Sequence, residues 1–95
     1  MHQDSFKPSN ELTFATVLPD SKRLAHFVRD NQAESLRLDL HDVVLCDSAG
    51  LALMIEAKRL CRQYNKTLAI EGMSNTIDAL AKFCGVEAML SPESE

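Results

Sequence analysis

The eight residues Asp47-Ser48-Ala49-Gly50-Leu51-Ala52-Leu53-Met54 join an apolar segment, Leu36 to Cys46, to a long helical pattern that runs to about Tyr64. A carboxylate, a hydroxyl and a glycine fall within four consecutive positions at the junction. That chemistry suits a strand turning into a helix whose N-terminus faces a surface. Asp or Ser at the start can accept hydrogen bonds from the free N–H groups of the first turn. The same terminus carries partial positive charge, which favours an anion such as a phosphate. Beyond the turn, Gly50, Leu53, Met54, Ala57, Leu60, Cys61 and Tyr64 form a stripe at helical spacing. Leu51 and Ile55 lie beside the stripe and widen it, so the helix can cover more than the protein's own core.

Upstream of the junction, Ser35-Leu36-Arg37-Leu38-Asp39-Leu40 alternates strictly and predicts a half-buried strand. Val43-Val44-Leu45-Cys46 either extends that strand or forms a separate short one behind a kink at His41-Asp42. Further back, Glu11 to Leu18 is rich in threonine, phenylalanine and valine. It predicts a strand that is apolar on much of both faces. A short strand around Ser5 to Lys7, followed by the turn Pro8-Ser9-Asn10, leaves a hairpin open at the start. Pro19-Asp20-Ser21 is expected to stop the strand and begin a helix carrying Leu24, Phe27 and Val28, ending near Asn31 to Ala33.

Downstream, Asn65-Lys66 closes the long helix, with asparagine suited to a left-handed cap. Thr67 to Glu71 predicts a strand ended by Gly72. Ser74-Asn75 starts a third helix with Ile77, Leu80, Ala81 and Cys84 on one face, and Gly85 ends it. Val86 to Leu90 supplies a last apolar contact. Helices between strands require crossover connections, so the expected fold is α/β with a largely parallel sheet. The 95 residues are expected to form one domain, 1–95, with flexible ends at 1–10 and 91–95.

Composition narrows the function. Hydrophobic residues are 45% of the chain and charged residues 25%, as in an ordinary globular protein. A net charge of −4 and a pI near 5.3 argue against a nucleic-acid binder or an anionic-membrane binder. No stretch reaches the roughly 18 apolar residues of a membrane span, so direct insertion is not expected. Met1-His2-Gln3-Asp4 has neither a basic start nor an apolar run, and no signal peptide is expected. Cys46, Cys61 and Cys84 are odd in number and contain no C-x-x-C pair. They read as reduced core thiols of a cytosolic protein.

Chemistry is sparse. His2, His26 and His41 show no local constellation that would activate Ser48 or a cysteine as a nucleophile. There is no glycine-rich phosphate loop and no H-E-x-x-H. Asp39, Asp42 and Asp47 read as strand ends and a helix cap, not as a magnesium site. No catalytic residue, metal or cofactor is expected. Lys58, Arg59, Arg62 and Lys66 read as the solvated face of an amphipathic helix. Ser48 carries two compatible readings: part of a helix cap, and a hydroxyl accessible to a kinase or a partner. A phosphate there would add about −1.5 to −2 charges beside Asp47 and could act as an electrostatic contact switch.

At Asp47-Ser48-Ala49-Gly50-Leu51 the chain resembles the STAS domain, the fold of anti-sigma factor antagonists and of transporter-associated regulatory domains. The resemblance runs outward from there. Leu36-Arg37-Leu38-Asp39-Leu40 resembles the family's central strand, and Gly50-Leu51-Ala52-Leu53-Met54 the start of its signature helix. Thr67 to Gly72 and Asn75 to Phe83 resemble the strand and helix that follow. Two branches are implied. In anti-sigma antagonists the motif is Asp-Ser, then Ser or Thr, then Gly, and the first hydroxyl is phosphorylated by a partner kinase. Here Ala49 replaces the second hydroxyl. Asp47 to Leu53 is more similar to the MlaB-like STAS subunit of the Mla phospholipid ABC transporter, as are Leu80-Ala81-Lys82 and Leu90-Ser91-Pro92.

The resemblance implies a non-catalytic cytoplasmic subunit, peripheral to the inner membrane through its complex. It would bind and regulate or stabilise the ATPase subunit, which works with a permease and a substrate-binding subunit in intermembrane phospholipid transport and outer-membrane lipid asymmetry. Ser48 would then sit in the interface. Asp47, Ala49 and Gly50 would shape the contact, and Leu51 and Ile55 would add apolar area. The alternative partner is an anti-sigma factor kinase acting on Ser48.

Overall fold

The computed structural model describes residues 4–90. In chain order they form β1 (Ser5–Phe6), β2 (Glu11–Leu12), α1 (Val17–Asp30), β3 (Ser35–Asp39), β4 (Leu45–Cys46), α2 (Ser48–Gln63), β5 (Thr67–Glu71), α3 (Asn75–Phe83) and α4 (Glu87–Leu90). The alternating leucines act as their spacing predicts: Leu36 and Leu38 of β3 are buried, while Ser35 and Arg37 face outward. Flanked by β1 and β5, β3 is the central strand of a three-stranded sheet in the order β1-β3-β5. Ser5 pairs with Arg37, and Leu36 with Leu68. A second, two-stranded sheet pairs β2 with β4, Leu12 opposite Cys46.

All of these pairings are parallel, as expected from helices placed between strands. The possible hairpin at the start is not formed. β1 and β2 each find a partner far along the chain instead of each other. Val43 to Cys46 does not extend β3: a turn at His41-Asp42 separates it, and β4 is a strand of its own. Of the expected flexible ends, 1–3 and 91–95 lie outside the described residues, together with Ser91-Pro92, whereas 4–10 include β1, hydrogen-bonded to β3.

The largest departure from the sequence reading is at 11–18. The strand stops at Leu12, and Thr13–Thr16 folds into a turn. The N–H groups of Thr16 and Val17 both donate to the Thr13 carbonyl at 2.9 Å. Thr13 N–H donates to Thr16 Oγ1 at 3.0 Å, and that hydroxyl donates to the Glu11 carbonyl at 2.7 Å. The threonines were strand signals by shape, but their hydroxyls offer the backbone a competing set of partners. Helix α1 therefore starts at Val17, ahead of Pro19. Proline is tolerated there because N–H groups of a helix's first turn have no partner within the helix.

Helix α1 is fastened to the start of the chain by Asp20, a carboxylate only 1% exposed. It accepts from Ser9 N–H at 3.1 Å, Ser9 Oγ at 2.9 Å and Arg23 Nη1 at 2.7 Å. Arg23 also donates to the Lys7 carbonyl and lies 4.9 Å from the Phe6 ring centroid. A buried carboxylate persists only when its lone pairs are occupied in this way.

The other side of α1 packs on α2, whose Leu51, Leu53, Met54, Ala57 and Cys61 are buried in the common core with Leu24 and Val28. Asn65 (φ 59) ends that helix as expected. Lys66 is not part of a free basic face. Its ammonium donates to the carbonyls of Asn31 and Ala33, both at 2.7 Å, and so ties the end of α1 to the end of α2. Ser74 Oγ caps α3 by accepting from Ile77 N–H. The expectation of three core cysteines needs correcting. Cys61 is buried and Cys46 half-buried, but Cys84 is exposed, because it lies past the last residue of α3 just before Gly85 (φ 76).

Gly50 sets how closely α2 approaches the smaller sheet. A Cβ there would lie 2.5 Å from the Leu12 carbonyl oxygen and 2.6 Å from Cys46 Sγ. Gly50→Ala should therefore destabilise the fold by about 1–3 kcal/mol through overpacking against backbone. A urea titration checks this: the midpoint should fall with an unchanged slope, and an unchanged midpoint would mean the junction has room to yield.

Candidate functional site

The junction between β4 and α2 is built around Asp47. Its backbone is extended (φ −117, ψ −167), which places it as the N-cap of α2. One carboxylate oxygen accepts from Ala49 N–H at 2.9 Å and Gly50 N–H at 3.3 Å. The other accepts from Phe14 N–H at 3.1 Å, reaching across to the threonine turn. Asp47 N–H in turn donates to the Leu12 carbonyl. The sequence left the capping role open between Asp47 and Ser48, and the geometry gives it to Asp47. Ser48 becomes the first helical residue and is exposed, with its hydroxyl outside the cap.

The segments that adjoin this turn carry exposed apolar side chains. Phe14 is 81% exposed, Leu18 69% and Val44 79%, with Leu45 more than half exposed. Their placement follows from the elements. Phe14 is held by Asp47 and Leu18 lies on the first turn of α1, while Val44 and Leu45 lead directly into Asp47. Two grooves of about 320 Å³ flank the turn. One lies between α1 and α2, where Leu18 and Ser21 face Ala49, Ala52 and Glu56. The other lies between β4 and α3, with Val44, Leu45, Cys46, Ser74 and Thr76 in its walls. Isolated exposed apolar side chains are ordinary, but four on the segments adjoining one polar helix start form the kind of surface that excludes water on contact with another molecule.

The residues singled out from sequence are not all in one place. Asp47 and Ala49 are half-buried at the turn, and Gly50 is buried beneath it. Leu51 is 2% exposed and belongs to the core, so it supports the turn from below and cannot supply contact area. Ile55 is half-buried and lines a different groove, with Lys58, Arg59, Arg62 and Met89. The exposed residues Phe14, Leu18, Val44 and Leu45 were missed. For Phe14 and Leu18 the signal was a segment apolar on both faces, which a two-sided strand and a turn with exposed side chains produce alike, and for Val44 and Leu45 it was the short apolar run before the junction.

Burial, with the charge of Asp47 adding to it, pushes the Cys46 thiol up to about 11, and burial also raises that of Cys61. Neither is a nucleophile at neutral pH. His41 Nδ1 lies 2.6 Å from Asp39 Oδ1, and His41 N–H donates to the same oxygen. The backbone bond and then the ring hold the Asp39 carboxyl below its usual range. This pair closes the turn between β3 and β4. Among the described residues, no group of three or more His, Cys, Asp and Glu side chains could hold a metal ion. No described helix is long and apolar enough to cross a membrane.

The family profile described as "Mlab, STAS domain" matches residues 9–91. Compared with curated proteins, the sequence finds no match. Among solved structures, the fold is similar to that titled "Crystal structure of sulfate transporter family protein from Wolinella succinogenes", with a TM-score of 0.73 at 16% identity over 93% of this chain and 70% of that one. That structure shares the architecture of parallel strands with helices packed on them.

Two measurements check the geometry of the turn. Asp47→Ala should cost about 1–2 kcal/mol in chemical denaturation, and Asp47→Asn clearly less, because an amide oxygen can still accept from the first turn. Equal losses would mean that the cap bonds contribute little. In maleimide labelling of the native protein at pH 8, Cys84 should react first and Cys46 and Cys61 far more slowly. Equal rates would contradict the burial of the latter two.

Proposed function

We propose, on the premise that this chain belongs to the STAS domain family of the Mlab type, that it is a non-catalytic subunit of an Mla-type ABC transporter. It docks through the start of α2 onto the ATPase subunit and regulates or stabilises it during phospholipid movement between membranes. It sits at the cytoplasmic face of the inner membrane only through that complex. The observation that carries this reading is the exposed Ser48 hydroxyl at the first position of α2, together with exposed Phe14, Leu18, Val44 and Leu45 on the segments that adjoin the turn. A surface of that composition fits an interface with an apolar centre, and the partner's polar groups can meet the hydroxyl and the helix terminus. Asp47 and Gly50 act beneath the contact by fixing the turn, Ala49 lines the groove beside it, and Ile55 adds half-buried apolar area two turns further along α2.

A second reading uses the same observation. An exposed serine that its helix does not need for capping is open to a kinase, as in an anti-sigma factor antagonist switched by phosphorylation of Ser48. Affinity capture from the native cell in mild detergent separates the two: an ABC ATPase with its permease supports the first, and a soluble histidine-kinase-like protein the second.

For the transporter reading, Ser48→Asp should leave the unfolding free energy within about 0.5 kcal/mol of wild type, since an acid in the first helical turn is tolerated by the dipole. It should weaken binding to the purified ATPase subunit at least tenfold, because a charge is buried against apolar side chains. Leu18→Ser and Val44→Ser should each weaken it as well. Isothermal titration with the ATPase subunit measures all three, and unchanged affinities would remove the start of α2 from the interface.

A further inference from the structure

We propose that the groove between the second half of α2 and the short helix α4 binds a phosphate group attached to an apolar moiety. The groove has a volume of about 240 Å³ and is lined by Lys58, Arg59, Arg62, Ile55 and Met89. Its lining holds three cations and two apolar side chains, on a chain whose net charge is −4. It starts about two helical turns, roughly 10 Å, along α2 from Ser48, and no residue of the first turn lines it, so Ile55 is the one residue the two sites share.

The cations are held in place before any ligand arrives. Arg59 makes a forked pair with Glu56, Nε to one carboxylate oxygen at 2.9 Å and Nη2 to the other at 2.6 Å, and Nη1 donates to Gln63 at 3.3 Å. Those three bonds leave two of the guanidinium's five N–H groups. Its plane is fixed, so little further side-chain entropy is lost when an anion binds. Lys58 is 8% exposed, with its aliphatic stem buried in the helix packing. Lys58 and Arg62 each have an interaction within the chain as well, so an anion shares them rather than meeting bare charges.

Cations near a helix C-terminus complement its dipole, and that accounts for Arg62 in the last turn of α2. It does not account for a methionine more than half exposed beside these cations. A phosphate presents three terminal oxygens to three cations, where a carboxylate presents two. Ile55 and Met89 suit an apolar group attached to that phosphate, methionine being adaptable in shape. Such a ligand is either a soluble phosphate ester or the headgroup of an anionic lipid. The protein's overall negative charge opposes approach to an anionic surface from a distance, so binding rests on short-range contacts and weakens with salt.

The test titrates isotope-labelled protein with inorganic phosphate and with water-soluble dihexanoyl phosphatidic acid, following backbone amides by NMR. Sedimentation with vesicles containing phosphatidic acid, against pure phosphatidylcholine vesicles, tests the membrane source. Shifts should centre on residues 58–62 and Met89. The short-chain amphiphile should bind at least tenfold tighter than inorganic phosphate. Arg62→Ser, at an exposed position, should cut that affinity at least tenfold in a protein that remains folded by its amide spectrum, and Lys58→Met, which keeps the buried stem, should do the same. Sedimentation with anionic vesicles that is lost in Arg62→Ser assigns the lipid source, and soluble binding alone assigns the ester. Shifts confined to the start of α2, affinities unchanged in both variants, or no binding by any probe at millimolar concentration would overturn the proposal.

Discussion

The Asp47 carboxylate holds three N–H groups that belong to two separate parts of the chain, and the arrangement of the site depends on that. Two of the groups open α2 and the third belongs to Phe14 in the threonine turn. One side chain therefore fixes where α2 starts and where the segment before α1 lies. Gly50 completes the constraint from inside. With no Cβ, it lets the first turn of α2 rest against Leu12 and Cys46, the pair that joins β2 to β4. The carboxylate supplies direction and the glycine supplies distance. Neither leaves work for the Ser48 hydroxyl, which is how a helix start can be rigid and still present a free polar group.

The same segment shows how a surface is made from residues that look like core. In an alternating strand, Phe14 and Leu18 would each find a sheet face. The threonine hydroxyls instead satisfy a turn, and these apolar residues are carried outward to the surface. Placing them there costs hydrophobic stabilisation that a buried position would have supplied, which is the physical reason to read them as a contact surface. Asp20, at the other side of the α1 start, anchors this arrangement to the first strand through Ser9 and Arg23.

Helix α2 thus has two ends of different character. Its start is polar at the tip, with exposed apolar side chains on the segments that adjoin it. Its second half carries Lys58, Arg59 and Arg62, whose charges oppose the chain's net −4. The dipole favours this polarity, anions near the first turn and cations near the last. The face of the helix beneath is continuous, with Leu51, Met54, Ala57 and Cys61 all buried.

Much of the fold was legible in the residues. The alternating leucines of 35–40, the helical stripe from Gly50, and the caps at Asn65 and Ser74 each rest on local periodicity or local hydrogen bonding. A sequence carries that information directly. The STAS resemblance at Asp47 to Met54 depended on the same local features, and the position of Ser48 at the helix start followed from them. Other features were decided only by tertiary structure, because they depend on which distant groups meet. Leu51 and Ile55 looked alike as helix flanks, but packing sent one into the core and the other to a cationic groove. Phe14 and Leu18 were apolar in sequence and became exposed once Asp47 claimed the Phe14 N–H. Asp20 read as a helix opener and proved to be a buried anchor, since Ser9 folds back onto it from before the helix while Arg23 meets it from the next turn. Periodicity reports which face of an element is apolar, and only the packed chain determines what that face meets.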